Sequence, residues 1–262
     1  MRVEVRSSEE VQLMKRAGLV VYDVLSRITD AVRPGISTRR LDQIADDCIR
    51  KAGAIPSFKG YRGYPASVCT SPNEVVVHGI PDDYRLRDGD IIGVDCGAIL
   101  DGWHGDAAVT LPVGDVSDEA AELISVTRHS LAAGIRQAIE GNRLGDIGFA
   151  VQEVAESCGF SVVREYVGHG IGREMHEAPQ IPNYGPPDSG KRIKNGNVFA
   201  LEPMINAGDF ATKVLDDGWT VVTRDGSLSA HFEHTVAVTP DGPEILTVVG
   251  ETEAELVRLA AN

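Results

Sequence analysis

Asp95 and Asp106 stand on either side of Asp101-Gly102 in the stretch IIGVDCGAILDGWHGDAAVT, residues 91–110. An Asp-Gly pair between apolar runs is the signal of a two-residue type I′ hairpin. Folding about it sets Leu100 opposite Trp103, Ile99 opposite His104, Gly97 opposite Asp106 and Asp95 opposite Ala108. Side chains two apart share a face. The two carboxylates are therefore diagonal neighbours, roughly 7–8 Å apart at the backbone and closer at their tips. Gly97 is expected to leave room for whatever lies between them. Two such groups on an apolar hairpin repel, and burial worsens it, so either one keeps its proton or a cation lies between. An arbitrary pair of aspartates is more often a solvated face. Here Ile91, Ile92, Val94, Val109 and Leu111 mark the hairpin as core.

Two glutamates are equally out of place. Glu202 sits within VFALEPMI (198–205) and Glu233 within SAHFEHTVAVT (229–239), both reading as single apolar strands. A glutamate inside a buried strand is costly unless paired. The stretch YVGHGIGREMHE (166–177) adds His169 among glycines, followed by His176, and His78 follows the apolar run ending at Val77. Four carboxylates and one imidazole (Asp95, Asp106, His169, Glu202 and Glu233) suit divalent Mn, Fe or Co better than a structural zinc. Bridging carboxylates can hold two such ions about 3.5–4 Å apart, where a shared water deprotonates near neutral pH. The reaction class is metal-assisted hydrolysis.

The elements that must carry these residues follow from periodicity. Ser7 with Glu10 forms a capping box, and Met14, Ala17, Val21, Val24, Ile28 and Val32 recur at helical spacing behind it, predicting a helix over 8–32. Helices are also predicted over 37–51, 117–140 and 145–158. Short strands are predicted over 68–70, 74–77 and 219–223. Phe58 to Pro65 alternates aromatics with glycine and reads as a loop that could line a pocket. The order helix, helix, strands occurs twice, and Gly35 and Gly53 bracket their helix as Gly141 and Gly159 bracket theirs. An internal duplication is expected, roughly 7–112 and 117–240, within a single domain spanning 1–262.

Bulk properties exclude much. A net charge of −14 disfavours a nucleic-acid-binding face. Cys48, Cys69, Cys96 and Cys158 contain no CxxC pair, arguing against a zinc knuckle or a redox dithiol. The polar N-terminus lacks a signal-peptide core, and no apolar run approaches a membrane span. A reducing cytoplasm is the expected compartment.

The motifs NEVVVHGIPDD, VDCGAILDGWHGD, REYVGHGIGREMHE, ALEPMINAG and DDGWTVVTRDGSLSAHFEHT carry a resemblance over nearly the whole chain. The sequence resembles type I methionine aminopeptidases of the short bacterial kind, within the M24 metallopeptidases. That resemblance implies the α/β (α+β) pita-bread fold, two pseudo-symmetric halves with helices packed on a curved, mainly antiparallel sheet. It implies a monomer that removes the initiator methionine from nascent chains before a small second residue. It further implies that Asp95 holds one metal ion, that Asp106 and Glu233 bridge two, and that His169 and Glu202 complete the other site. Glu202 is then the general base and proton carrier. His176 bonds the carbonyl oxygen as charge develops there, and His78 binds the scissile amide nitrogen or assists the leaving group. The methionine pocket is implied to use Tyr61, Tyr64, Cys69, His78 and Trp219. Phe58 and Met175 depart there from the common bacterial cysteine and phenylalanine while staying apolar. Transient ribosome contact is also implied, although 207–226 offers only Lys213 and Arg224 against Asp209, Asp216, Asp217 and Asp225, too little basic charge to dock strongly.

Two rival readings differ in class. One is an Xaa-Pro aminopeptidase or prolidase of the same fold, which commonly carries an extra N-terminal domain. The other is a non-catalytic pita-bread binding protein, which would lack ligands that are all present here. His104, His129, His231 and His234 are assigned no role from sequence.

Overall fold

A computed structural model describes residues 3–248; the remainder of the expected 1–262 domain, 1–2 and 249–262, lies outside the described residues. Helices α1 (Ser8–Ala31) and α2 (Thr38–Lys51) open the chain, followed by strands β1 (Ile55–Pro56), β2 (Val68–Pro72), β3 (Val75–Val77), β4 (Ile91–Leu100) and β5 (Trp103–Pro112). A second helix pair, α3 (Asp118–Gln137) and α4 (Leu144–Ser157), precedes β6 (Ser161–Val162), β7 (Gly168–Gly170), β8 (Glu177–Ile181), β9 (Val198–Leu201) and β10 (Met204–Asn206). The last strands are β11 (Thr212–Val214), β12 (Val221–Thr223), β13 (Ser229–His231), β14 (Glu233–Thr239) and β15 (Gly242–Ile245).

The four helices form where periodicity placed them, their ends shifted by at most three residues. Ser7 caps α1 in a reciprocal box with Glu10, and the Ser37 and Ser117 side chains cap α2 and α3. The expected single strand over 198–205 is instead two strands in different sheets. Pro203 has no N–H to give the ladder, so β9 stops at Leu201 and β10 starts at Met204. The expected strand over 229–239 also divides, at Phe232, into β13 and β14. The two breaks are coupled, since β9 pairs with β14 in one sheet and β10 pairs with β13 in another. Both glutamates thus sit at a joint where a strand pair changes sheet, and not in mid-strand. The strand expected over 219–223 begins only at Val221, because Trp219 lies in a turn whose backbone N–H groups bond the Asp217 carboxylate.

The main sheet runs β1-β4-β5-β14-β9-β7-β8, with β2 beside β4 and β15 beside β14; every pairing in it is antiparallel. It is curled, with the helices on one side. Val21, Val24 and Ile28 of α1 and Leu41, Ala45 and Ile49 of α2 pack with Ile92, Val94 and Cys96. Leu131 and Ile147 of α3 and α4 pack with Phe199, Leu201 and Val236. Contact between α1 and β5 requires glycine, since a Cβ on Gly105 would lie 2.6 Å from the Gly18 nitrogen. The other side of the sheet carries the polar residues.

Candidate metal centre and adjoining pocket

The hairpin forms in the expected register, Leu100 opposite Trp103, Gly97 opposite Asp106 and Asp95 opposite Ala108. Ala108 is also the partner of Glu233, which brings β14 in beside β5. His234 faces Leu201 across the next pair, so Glu202 leaves β9 close to Glu233, and His169 on β7 faces Ala200. Asp95, Asp106, Glu233, Glu202 and His169 thus come from five successive positions across the sheet.

Asp106, His169 and Glu233 offer ligand atoms that all lie within 4.8 Å of one another. Asp95 interacts directly with Asp106. Glu202 Oε1 lies 3.4 Å from His169 Nε2. His169 Nδ1 is 2.9 Å from the Gly170 carbonyl, which can only accept, so Nδ1 carries the proton and Nε2 presents a lone pair to the cluster. Burial pushes the His169 pKa down to about 3, keeping the ring neutral as a ligand must be. Burial pushes all four carboxyls up, and their mutual repulsion pushes Asp106, Glu202 and Glu233 further. Asp95 Oδ1, Asp106 Oδ1 and Glu233 Oε1 are buried acceptors without a donor among the described residues. Buried acceptors that converge on one another and on an imidazole lone pair fit divalent cations and little else.

Beside the cluster opens a pocket lined by Phe58, Tyr61, Tyr64, Cys69, His78, Met175, His176 and Trp219, with Arg62 and the five cluster residues completing its wall. Every candidate metal-holding, catalytic and methionine-pocket residue named from sequence lines this one cavity. Phe58, Tyr64, Cys69 and Met175 are buried and form its apolar end. The room expected beside Gly97 is not left between the carboxylates. A Cβ there would lie 2.8 Å from Ser57 Cβ and 2.9 Å from Phe58 Cε1, so the glycine admits the pocket wall instead. Burial first, and then Asp95, push the Cys69 thiol well up, leaving it a small apolar wall group and not a nucleophile. His176 Nδ1 lies 3.0 Å from Tyr61 Oη, and the His176 ring is 4.2 Å from the His169 ring between centroids. His78 adopts a positive φ of 62° and stands edge-on to Trp219 and Tyr166. Burial lowers its pKa to about 4, so it is neutral at pH 7.

Sequence reading missed Arg62, which lacked any pattern, and also His231, whose Nε2 lies 4.0 Å from Glu202 Oε2. A histidine two residues before Glu233 was a usable signal, but the break at Phe232 hid which way it faced. The other unassigned histidines are structural: His104 bonds Ser57, His129 bonds the Ser125 carbonyl and His234 bonds Thr247.

Residues 12–240 match the model of metallopeptidase family M24. The chain is 53% identical over 245 residues to a methionine aminopeptidase of Clostridium acetobutylicum, covering 93% of this chain and 98% of that one. The crystal structure of methionine aminopeptidase from Rickettsia prowazekii superposes with a TM-score of 0.93 at 46% identity, over 94% of this chain and all of that one. A prolidase from Pyrococcus furiosus, at 20% identity and a TM-score of 0.77, covers 94% of this chain and 66% of its own, and shares the fold alone. The chain belongs to metallopeptidase family M24 and, within it, to the methionine aminopeptidases.

Proposed function

We propose that this chain removes the initiator methionine from the N-terminus of newly made proteins, preferring a small second residue, by hydrolysis assisted by two divalent ions. The observation that carries the reading is a closed apolar end, Phe58, Tyr64, Cys69 and Met175, set directly beside the carboxylate cluster. An unbranched thioether fits such an aromatic-lined end.

Asp95, Asp106, His169, Glu202 and Glu233 would hold the ions, Mn, Fe(II) or Co by the hardness of the donors. When bound, such ions supply Lewis-acid polarisation, a water of lowered pKa and an anchor for the free α-amine. The chain supplies the rest. Glu202, whose Oε1 lies 3.4 Å from His169 Nε2, would take the proton of the attacking water and carry it to the leaving nitrogen. With Tyr61 Oη as donor to His176 Nδ1, 3.0 Å away, the His176 proton would sit on Nε2, where it can bond the substrate carbonyl oxygen as negative charge builds. His78, neutral and held by a left-handed backbone between Tyr166 and Trp219, would bond the scissile amide nitrogen. Trp219 and Tyr61 would flank the methionine side chain.

The reading places the whole chain in one catalytic domain, acting as a cytoplasmic monomer that touches ribosomes only transiently. Anaerobically purified protein titrated with Fe(II), Mn(II) and Co(II) and assayed on Met-Ala-Ser and Xaa-Pro peptides tests it. Methionine release is expected; turnover of the Xaa-Pro peptides alone would overturn it in favour of the prolidase reading.

A further inference from the structure

Arg62 is the only lysine or arginine among the residues lining the pocket. It is exposed, and its backbone is left-handed (φ 48°, ψ 25°) within the Tyr61–Gly63 turn, a conformation side-chain-bearing residues rarely adopt. Its guanidinium carbon lies 5.4 Å from the Tyr61 ring centroid. Among the described residues it has no hydrogen bond or ion pair to a carboxylate. Tyr61 in turn stacks on His176, with ring centroids 5.4 Å apart. Arg62 acts electrostatically on His176, helping to hold that imidazole neutral.

These contacts give the pocket a polarity. Its buried end is apolar, and its exposed lining residues are Arg62 and His176. A peptide whose methionine fills the buried end must leave past them. In an extended peptide, side chains one and three point to the same side. With the first side chain in the pocket, the third faces the same wall, where the Arg62 guanidinium stands over Tyr61 without a carboxylate partner among the described residues.

We propose that Arg62 is a specificity-determining residue that favours substrates presenting a carboxylate at their third residue. This rests on the reading that the pocket receives the N-terminal methionine. The carboxylate can come from an acidic third side chain or from the C-terminus of a tripeptide.

The test compares kcat/KM for Met-Ala-Asp-Gly-amide, Met-Ala-Asn-Gly-amide and the free acid Met-Ala-Asn, using wild type, Arg62→Gln and Arg62→Lys at low and high salt. An exposed guanidinium–carboxylate pair predicts an Asp-over-Asn preference of roughly two- to five-fold at low salt. That preference is expected to fall toward one in high salt, to vanish in Arg62→Gln and to survive in part in Arg62→Lys. The same gain for the free acid Met-Ala-Asn over Met-Ala-Asn-Gly-amide would assign the effect to any carboxylate at that place, and its absence to the side chain alone. Equal rates for Asp and Asn peptides in wild type, or a preference unchanged by salt or by Arg62→Gln, would overturn the inference. The salt series on wild type stands even if a variant fails to fold. Absence of methionine release from every peptide would instead overturn the reading of the pocket, and this inference with it.

Discussion

Replacing Asp95 by asparagine is expected to stabilise the metal-free protein and to remove its capacity to be stabilised by metal. Burial raises the Asp95 pKa from 3.8 to about 7, and the carboxylate in turn raises Asp106, Glu202 and Glu233. The unfolded chain sheds this proton near pH 4, whereas the folded chain keeps it to about 7. The folded state therefore binds more protons across that window, and stability is lost as pH rises through it. At pH 8 the loss from this one group is about 4 kcal/mol. Asparagine removes it, and its amide can donate to Asp106, whose Oδ1 has no donor among the described residues. For a chain of this size the gain corresponds to a rise in Tm of roughly 10 °C. Thermal unfolding of chelator-treated protein at pH 8 and pH 5 measures it; the gain is expected in full at pH 8 and to fall to less than half, about 2 kcal/mol, at pH 5. Added metal at a thousand times its Kd should then stabilise wild type by about 4 kcal/mol and Asp95→Asn by much less. A variant less stable than wild type at pH 8 without metal, or one stabilised equally by metal, would refute the electrostatic reasoning.

Other perturbations separate the parts of the site. Glu233→Ala is expected to lose bound metal and methionine release while keeping its far-UV circular dichroism; full activity in the metal-stripped variant would contradict the mechanism. Gly97→Ala drives a Cβ to 2.9 Å from Phe58 Cε1, an overpacking expected to cost about 1–3 kcal/mol in urea unfolding and to raise KM for methionyl peptides by crowding the buried end. His78 has a folded pKa of about 4, so the unfolded chain takes up its proton first as pH falls. Wild type should lose about 2 kcal/mol through this group between pH 7 and pH 5. His78→Asn, which tolerates the positive φ, is expected to show a shallower decline in urea midpoint over that range.

The parts legible in the sequence were those set by local pattern. The Asp101-Gly102 turn fixed the hairpin register, and with it the diagonal of Asp95 and Asp106. Helical periodicity fixed the four helices to within a few residues, three of them behind a serine cap. What escaped depends on partners distant in sequence. Residues 198–205 look like one apolar strand until Pro203 is weighed against a neighbouring strand that breaks beside it. The space at Gly97 could be read as empty because the segment filling it, Ser57 and Phe58, arrives from a loop without periodicity. Arg62 carried no pattern at all; only the cavity reveals it.

The order of strands explains why the charges collect where they do. β14 inserts between β5 and β9, so within the main sheet the two halves of the chain meet along the seam of β5 with β14, while β3 and β12 join them in a separate small sheet. That seam is short: its ladder pairs are Glu233 with Ala108 and His234 with Ala107, against ten pairs in the β4–β5 hairpin. It continues through a side chain, since the Thr235 hydroxyl accepts from the Asp106 N–H and donates to the Asp106 carbonyl. Asp106 and Glu233 thus repel each other across the joint between the halves in the main sheet. A cation bound between them would turn that repulsion into a cross-strand tie, so the groups that would carry out hydrolysis also fasten the sheet that positions them.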